Sequence, residues 1–272
     1  MEPTRSSLWC VIGAIAGALS VVPLAPGAGA SVLAIVAIIA IVTAGYLAAR
    51  SASGAVSEVF RGFLIGFNAG WTVVLAAAIG RLVLPIGEAF AIGGVLGAIV
   101  LASAQATISR RRAYQGLLGW SSWLMPPTWI VNALGLGFLV LSVLGAVVTL
   151  GRLAPLAITG IAVDGPTGTI FLKGGWIANL NQEQTAFDMG HFGFVHKDST
   201  SYYMAHETGH TLSLGAFGSV FHLVGFVDEM SPAGDAAYSE RLAEGHDPSG
   251  TGPKLPMWSP SAPPDRLIAD PS

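Results

Sequence analysis

Five consecutive residues carry the clearest chemistry in this sequence: His206-Glu207-Thr208-Gly209-His210, an HExxH pattern. On a helix, residues four apart share a face, so both imidazoles can reach one Zn²⁺ ion. Glu207 stands beside them, where a carboxylate can take a proton from a metal-activated water. A catalytic zinc needs three protein ligands and an open position. Downstream residues offer the third. Glu229 follows His210 by nineteen residues. His222 lies on an apolar stretch, where a lone histidine is more often packed than ligating. Glu240 and Glu244 are one helical turn apart, and either could ligate, although such a pair usually marks a solvated face. His191 and His196 alternate with Phe192 and Phe194 in strand fashion and read as sharing one face, exposed or on the substrate side. Trp176 and Trp258 read as packing or interface residues.

The position six residues after His210 is Ala216, which excludes the metzincin pattern. HExxH followed by eighteen residues and Glu229 resembles the gluzincins, the zinc peptidases that include thermolysin and alanyl-aminopeptidase-type enzymes. The string Gly225-Phe226-Val227-Asp228-Glu229 is similar to their second ligand helix, and the order strand, HExxH helix, glutamate helix is theirs too. The resemblance covers about residues 190–230. It departs from the family in size and in lacking an aminopeptidase signature for a free substrate amine. The resemblance implies zinc held by His206, His210 and Glu229, with Glu207 as general base and then acid to the leaving amine. It also implies a donor for the oxyanion. His246, Tyr238 and Arg241 are candidates because they follow the ligand helix. Asp228 or Asp235 is expected to orient a ligand imidazole. The strand at 190–196 is expected to take substrate by edge addition.

These residues need elements to hold them. Residues 156–163 and 168–177 read as strands joined by the turn Asp164-Gly165-Pro166, and 190–196 as a third strand. Asp198-Ser199-Thr200 offers N-caps for a helix over about 199–214, stopping near Gly215. A second, apolar helix over 217–230 ends at Ser231-Pro232, and a short third one lies at 234–245. From Asp247 the chain is rich in Pro, Gly and Ser and reads as an extended or disordered tail.

Ahead of this region the composition changes. The 272-residue chain is 52% hydrophobic and only 11% charged, against about 25% charged for a soluble protein. That balance excludes an ordinary cytosolic enzyme, a disordered chain and a nucleic-acid binder. Residues 1–150 hold seven basic and three acidic side chains; residues 151–272 hold six and thirteen. Spans are expected at about 8–25, 30–49, 63–85, 89–108 and 129–150. Arg5, Arg50, Arg61 and Arg110–Arg112 sort to one side of such a layout and Arg81 and Arg152 to the other. The positive-inside rule then predicts an extracytoplasmic C-terminal region. The first span also reads as a cleavable signal ending at Ala28-Gly29-Ala30, with Pro23 and Pro26 before it. Segment 113–128, with Trp120 and Trp123, reads as an interfacial helix or a core-facing loop. Gly93 and Gly97 form a small-xxx-small pair, a spacing expected by chance among 35 glycines. The single cysteine, Cys10, excludes an intrachain disulfide.

The expected fold class is a membrane α-helical bundle of about five spans over residues 1–152. A small α+β zincin-like region follows over 153–247, with a tail over 248–272. The expected function is a membrane-anchored zinc metallopeptidase acting on peptides or membrane proteins, in contact with lipid and not with nucleic acid. Two alternatives stand beside it. One is a catalytically silent zincin-like subunit of a membrane complex. The other is an intramembrane protease of the site-2 type, disfavoured because 199–211 is polar and residues 1–150 contain no Asp.

Overall fold

A computed structural model describes residues 3–21, 28–180, 185–199 and 203–261. Helices α1 (Pro3–Val21), α2 (Ala28–Ser51), α3 (Gly54–Gly80) and α4 (Ile86–Ala102) follow one another with short connections. Their sequences are almost wholly apolar, so no amphipathic stripe chooses their packing. Small residues choose it instead. Gly13 and Gly17 of α1 sit against the Phe63 and Phe67 carbonyls of α3, while Gly66 and Gly70 of α3 sit against those of Cys10 and Ala14. A Cβ at any of the four would collide with backbone. Further along α3, Gly93 and Gly97 of α4 close on Val73, so this pair does pack.

Large apolar side chains face outward all along these helices, Leu33, Val36, Phe90 and Val95 among them. A water-soluble protein does not expose such a belt, whereas lipid contact favours it. Four helices are long and apolar enough to cross a membrane: Ser31–Ser51, Gly54–Gly80, Pro126–Val148 and Met204–Pro232. Ser7–Val21 and Ile86–Ala102 are apolar but shorter. The last of the four was not among the expected spans.

After the single turn α5 (Ala106–Ser109), α6 (Arg112–Ser122) buries Tyr114 and Leu118. It is therefore a packed helix rather than a loop. Trp120 and Trp123 from its end donate their indole N–H groups to the Gly165 and Gly168 carbonyls. Next come α7 (Trp129–Val148) and the strands β1 (Ile158–Asp164), β2 (Thr169–Gly174), β3 (Ala186–Met189) and β4 (Phe192–Val195). The sheet order is β1-β2-β4-β3, with β2 and β4 parallel and the other pairs antiparallel. The sheet lies against α7, burying Leu172, Phe192 and Phe194 with Val131.

The long helix α8 (Tyr203–Asp228) then runs through the middle of the molecule, followed by the short α9 (Tyr238–Glu244). Leu212, Phe217 and Phe221 of α8 share one apolar cluster with Tyr46, Leu64, Phe67 and Val100 of the N-terminal helices. The core therefore continues across residue 152, where a boundary between membrane and zincin-like regions was expected. Met257 and Trp258 join the same cluster, so the tail is anchored there, although its described part, through residue 261, forms no regular element. Pro23, Pro26 and Thr200 lie outside the described residues.

Candidate metal centre

His206 and His210 lie on the first half of α8, one turn apart, and α9 crosses in front of them. Gly209 makes that approach possible: a Cβ there would lie 2.7 Å from the Ala243 backbone. The crossing brings the Glu240 carboxylate onto both rings. Its Oε2 is 3.0 Å from His206 Nε2, and its Oε1 is 3.1 Å from His210 Nε2. The two Nε2 atoms are 3.1 Å apart. Around a tetrahedral zinc with bonds of 2.0–2.1 Å, ligand atoms stand about 3.3 Å from one another. Each of these pairs is slightly tighter than that, the two oxygens of the one carboxylate each facing a different ring.

The neighbouring hydrogen bonds fit the same reading. His206 Nδ1 donates to Glu244 Oε2 at 3.0 Å. With its proton on Nδ1, the ring turns the Nε2 lone pair towards Glu240 and His210. Three electron-pair donors then converge on one point, an arrangement a cation satisfies. A carboxylate behind a ligating imidazole also fixes its tautomer and strengthens it as a ligand. With both rings protonated instead, burial would still act to raise the Glu240 carboxyl, but the charge of His210 and hydrogen bonds from the two histidines would outweigh it and hold it well below the usual range. The hydrogen bond from His206, opposed by burial and helped by the Gly252 N–H, also holds Glu244 low.

Glu207, on the same turn of α8, is buried and joins Asp188 and His210 in a second group whose ligating atoms lie within 4.8 Å. Asp188 comes from β3. Its Oδ2 is buried with no hydrogen-bond partner among the described residues, 3.7 Å from His222 Nε2. Burial, with Glu240 and Glu229 nearby, pushes its pKa well above the ordinary aspartate value. All these groups line one cavity of about 550 Å³, whose wall includes Thr185–Asp188, Phe226 and residues 249–252.

Several expected site residues stand elsewhere. Glu229 lines the cavity but is exposed and outside both groups; Glu240 takes the place expected for it. Nineteen residues of spacing cannot anticipate this, because α8 breaks at Gly218 and ends at Asp228, which redirects Glu229. His246 is buried away from the cavity, its Nδ1 donating to the Ala205 carbonyl at 2.6 Å. Tyr238 is buried with its ring against Tyr46 and Phe221. Neither lines the cavity, nor does Arg241, so none is placed to stabilise an oxyanion. His222 does line it. Asp228 pairs with Arg50 rather than with a ligand imidazole, and the Asp235 side chain lies outside those described.

His191 and His196 are both buried, not exposed. An odd spacing of five residues also puts them on different sides of the chain. His191 stacks on Trp123 at 4.3 Å and contacts Ser122 Oγ at 2.5 Å. The strand at 190–196 cannot take substrate by its edge, because β4 is interior. The edge strands are β1 and β3, and the sequence reading missed β3. Its four residues include Asp188, a poor strand former. The chain matches no protein-family model, no curated protein and no solved structure.

Proposed function

We propose that the protein is a membrane-embedded, zinc-dependent peptide hydrolase with His206, His210 and Glu240 as metal ligands. The observation that carries this is the Glu240 carboxylate lying 3.0 and 3.1 Å from two imidazole nitrogens that are themselves 3.1 Å apart. When bound, zinc lowers the pKa of water and polarises a carbonyl. The chain's residues do the rest. Glu207, in the adjoining carboxylate group, takes the proton of the attacking water and returns it to the leaving amine. Glu244 holds His206 in its ligating tautomer. His222, its ring 6.2 Å from that of His210, replaces His246 and Tyr238 as the donor on the cavity wall. Substrate lies extended along the free edge of β3. The polar face of α8 is turned inward onto Glu240 and Glu244, which favours a site within the helical bundle over one on an appended domain.

The test measures zinc in the detergent-purified full-length protein beside cleavage of a peptide library. About one zinc per chain is expected in wild type and in Glu229→Ala, and none in Glu240→Ala. Glu207→Gln is expected to keep zinc and lose about 10²–10⁴-fold in rate. Zinc retained without Glu240 but lost without Glu229 would return the third-ligand role to Glu229. Zinc without cleavage of any peptide would favour a silent structural subunit.

A further inference from the structure

Glu240 reaches the histidines only because α9 is held in one place and one rotation. A seven-residue helix cannot secure either by itself, since so short a helix is marginal in isolation. The groups that hold it come from a membrane helix. Asp228, at the end of α8, accepts from the Tyr238 backbone N–H with Oδ2 at 3.4 Å. Tyr46 of α2 donates its hydroxyl to the same Oδ2 at 2.9 Å and accepts the Ser239 N–H at 3.2 Å. Its oxygen is also 3.3 Å from Ser239 Oγ. Arg50, one turn further along α2, closes the set with Nη1 2.5 Å from Asp228 Oδ1. Two backbone donors that begin α9 are thereby taken up, one and two residues before Glu240. The Tyr46 ring is fully buried between Phe221 and Tyr238, with centroids 5.0 and 5.7 Å away. Gly225 completes the seat, since a Cβ there would lie 2.7 Å from Ser239.

We infer that Tyr46, Arg50 and Asp228 are positioning residues for the third metal ligand, so that α2 sets the strength of the metal centre. This inference rests on the proposed metal centre. None of the three lines the cavity. Their action is through the backbone of α9, where a shift of about 0.5 Å spoils ligand geometry.

The experiment uses the full-length protein in detergent. Zinc affinity is measured by competition with a chromogenic chelator, and ligand geometry by the visible absorption of the Co²⁺-substituted protein. Tyr46→Phe and Asp228→Asn are expected to weaken zinc binding by about 10–100-fold and to change the Co²⁺ spectrum. Arg50→Gln shifts both in the same direction by less, and it carries the test if the buried variants fail to fold. A purely structural role would lower the unfolding temperature of the metal-free protein, yet leave the spectrum and affinity of its folded fraction unchanged. Wild-type affinity and spectrum in the variants, with zinc lost in Glu240→Ala, would overturn the inference alone. Zinc absent from wild type, or kept in Glu240→Ala, would overturn the metal centre and the inference with it.

Discussion

At the scale of single residues, the acidic groups divide by what faces them. Glu240 is held by two imidazoles and Glu244 by one, whereas Asp188 keeps a buried oxygen with no hydrogen-bond partner among the described residues. The i,i+4 spacing of His206 and His210 is legible in the sequence because helix geometry alone places both on one face. The partner carboxylate is not, because it comes from another helix. His191 shows the same limit: its burial depends on Trp123 and Ser122, far away in the chain. Burial, opposed by the Gly168 carbonyl, lowers its pKa from 6.5 to about 3. The unfolded chain therefore binds a proton between those values that the folded protein refuses. Stability is complete above pH 6.5 and is lost as pH falls, by about 2 kcal/mol at pH 5. Unfolding temperatures measured at pH 7 and pH 5 should fall less in His191→Gln than in wild type.

At the scale of elements, α8 decides the site. Its first half carries the histidines, and its second half runs on after a break at Gly218, where φ is 82° and ψ 175°. Asn68 of α3 donates to the Gly215 carbonyl at 3.2 Å beside the break. That backbone region is open essentially to glycine alone. Gly218→Ala should therefore destabilise the protein by about 1–3 kcal/mol, read as a lower unfolding temperature in detergent. The sequence places a break near Gly215, close to the observed one. It does not reveal that Met204–Pro232 is long and apolar enough to cross a membrane, because its polar residues suggested a water-facing helix. Its polar residues are instead met from several sides, His206 and His210 by α9, Thr211 by the Gly190 carbonyl and Ser219 by the Val131 N–H.

At the scale of the whole molecule, one apolar core joins Cys10 to Trp258. Trp258 is 1% exposed, and its indole N–H donates to Ser213 Oγ at 3.4 Å. Ser213 lines the cavity that His206, His210 and Glu240 share, so the end of the described chain backs the site. Trp258→Ala should cost about 3–5 kcal/mol, measured by thermal unfolding, although the tail reads as disordered from its composition. Proline and glycine content reports the lack of regular structure in this segment. It does not report the pocket into which one tryptophan fits.

By itself, the sequence determined the properties that depend on neighbours along the chain. These are the apolar helices, the hairpin turn at Asp164-Gly165-Pro166, and two histidines on one helical face. Periodicity and local conformational preference are written into consecutive residues. Only the tertiary structure decided which carboxylate meets the histidines, which edge strand lines the cavity, and that α8 belongs inside the bundle. Each of these follows from packing between segments distant in sequence. Glycines at the crossings and a tyrosine on α2 set distances that no spacing along the chain encodes.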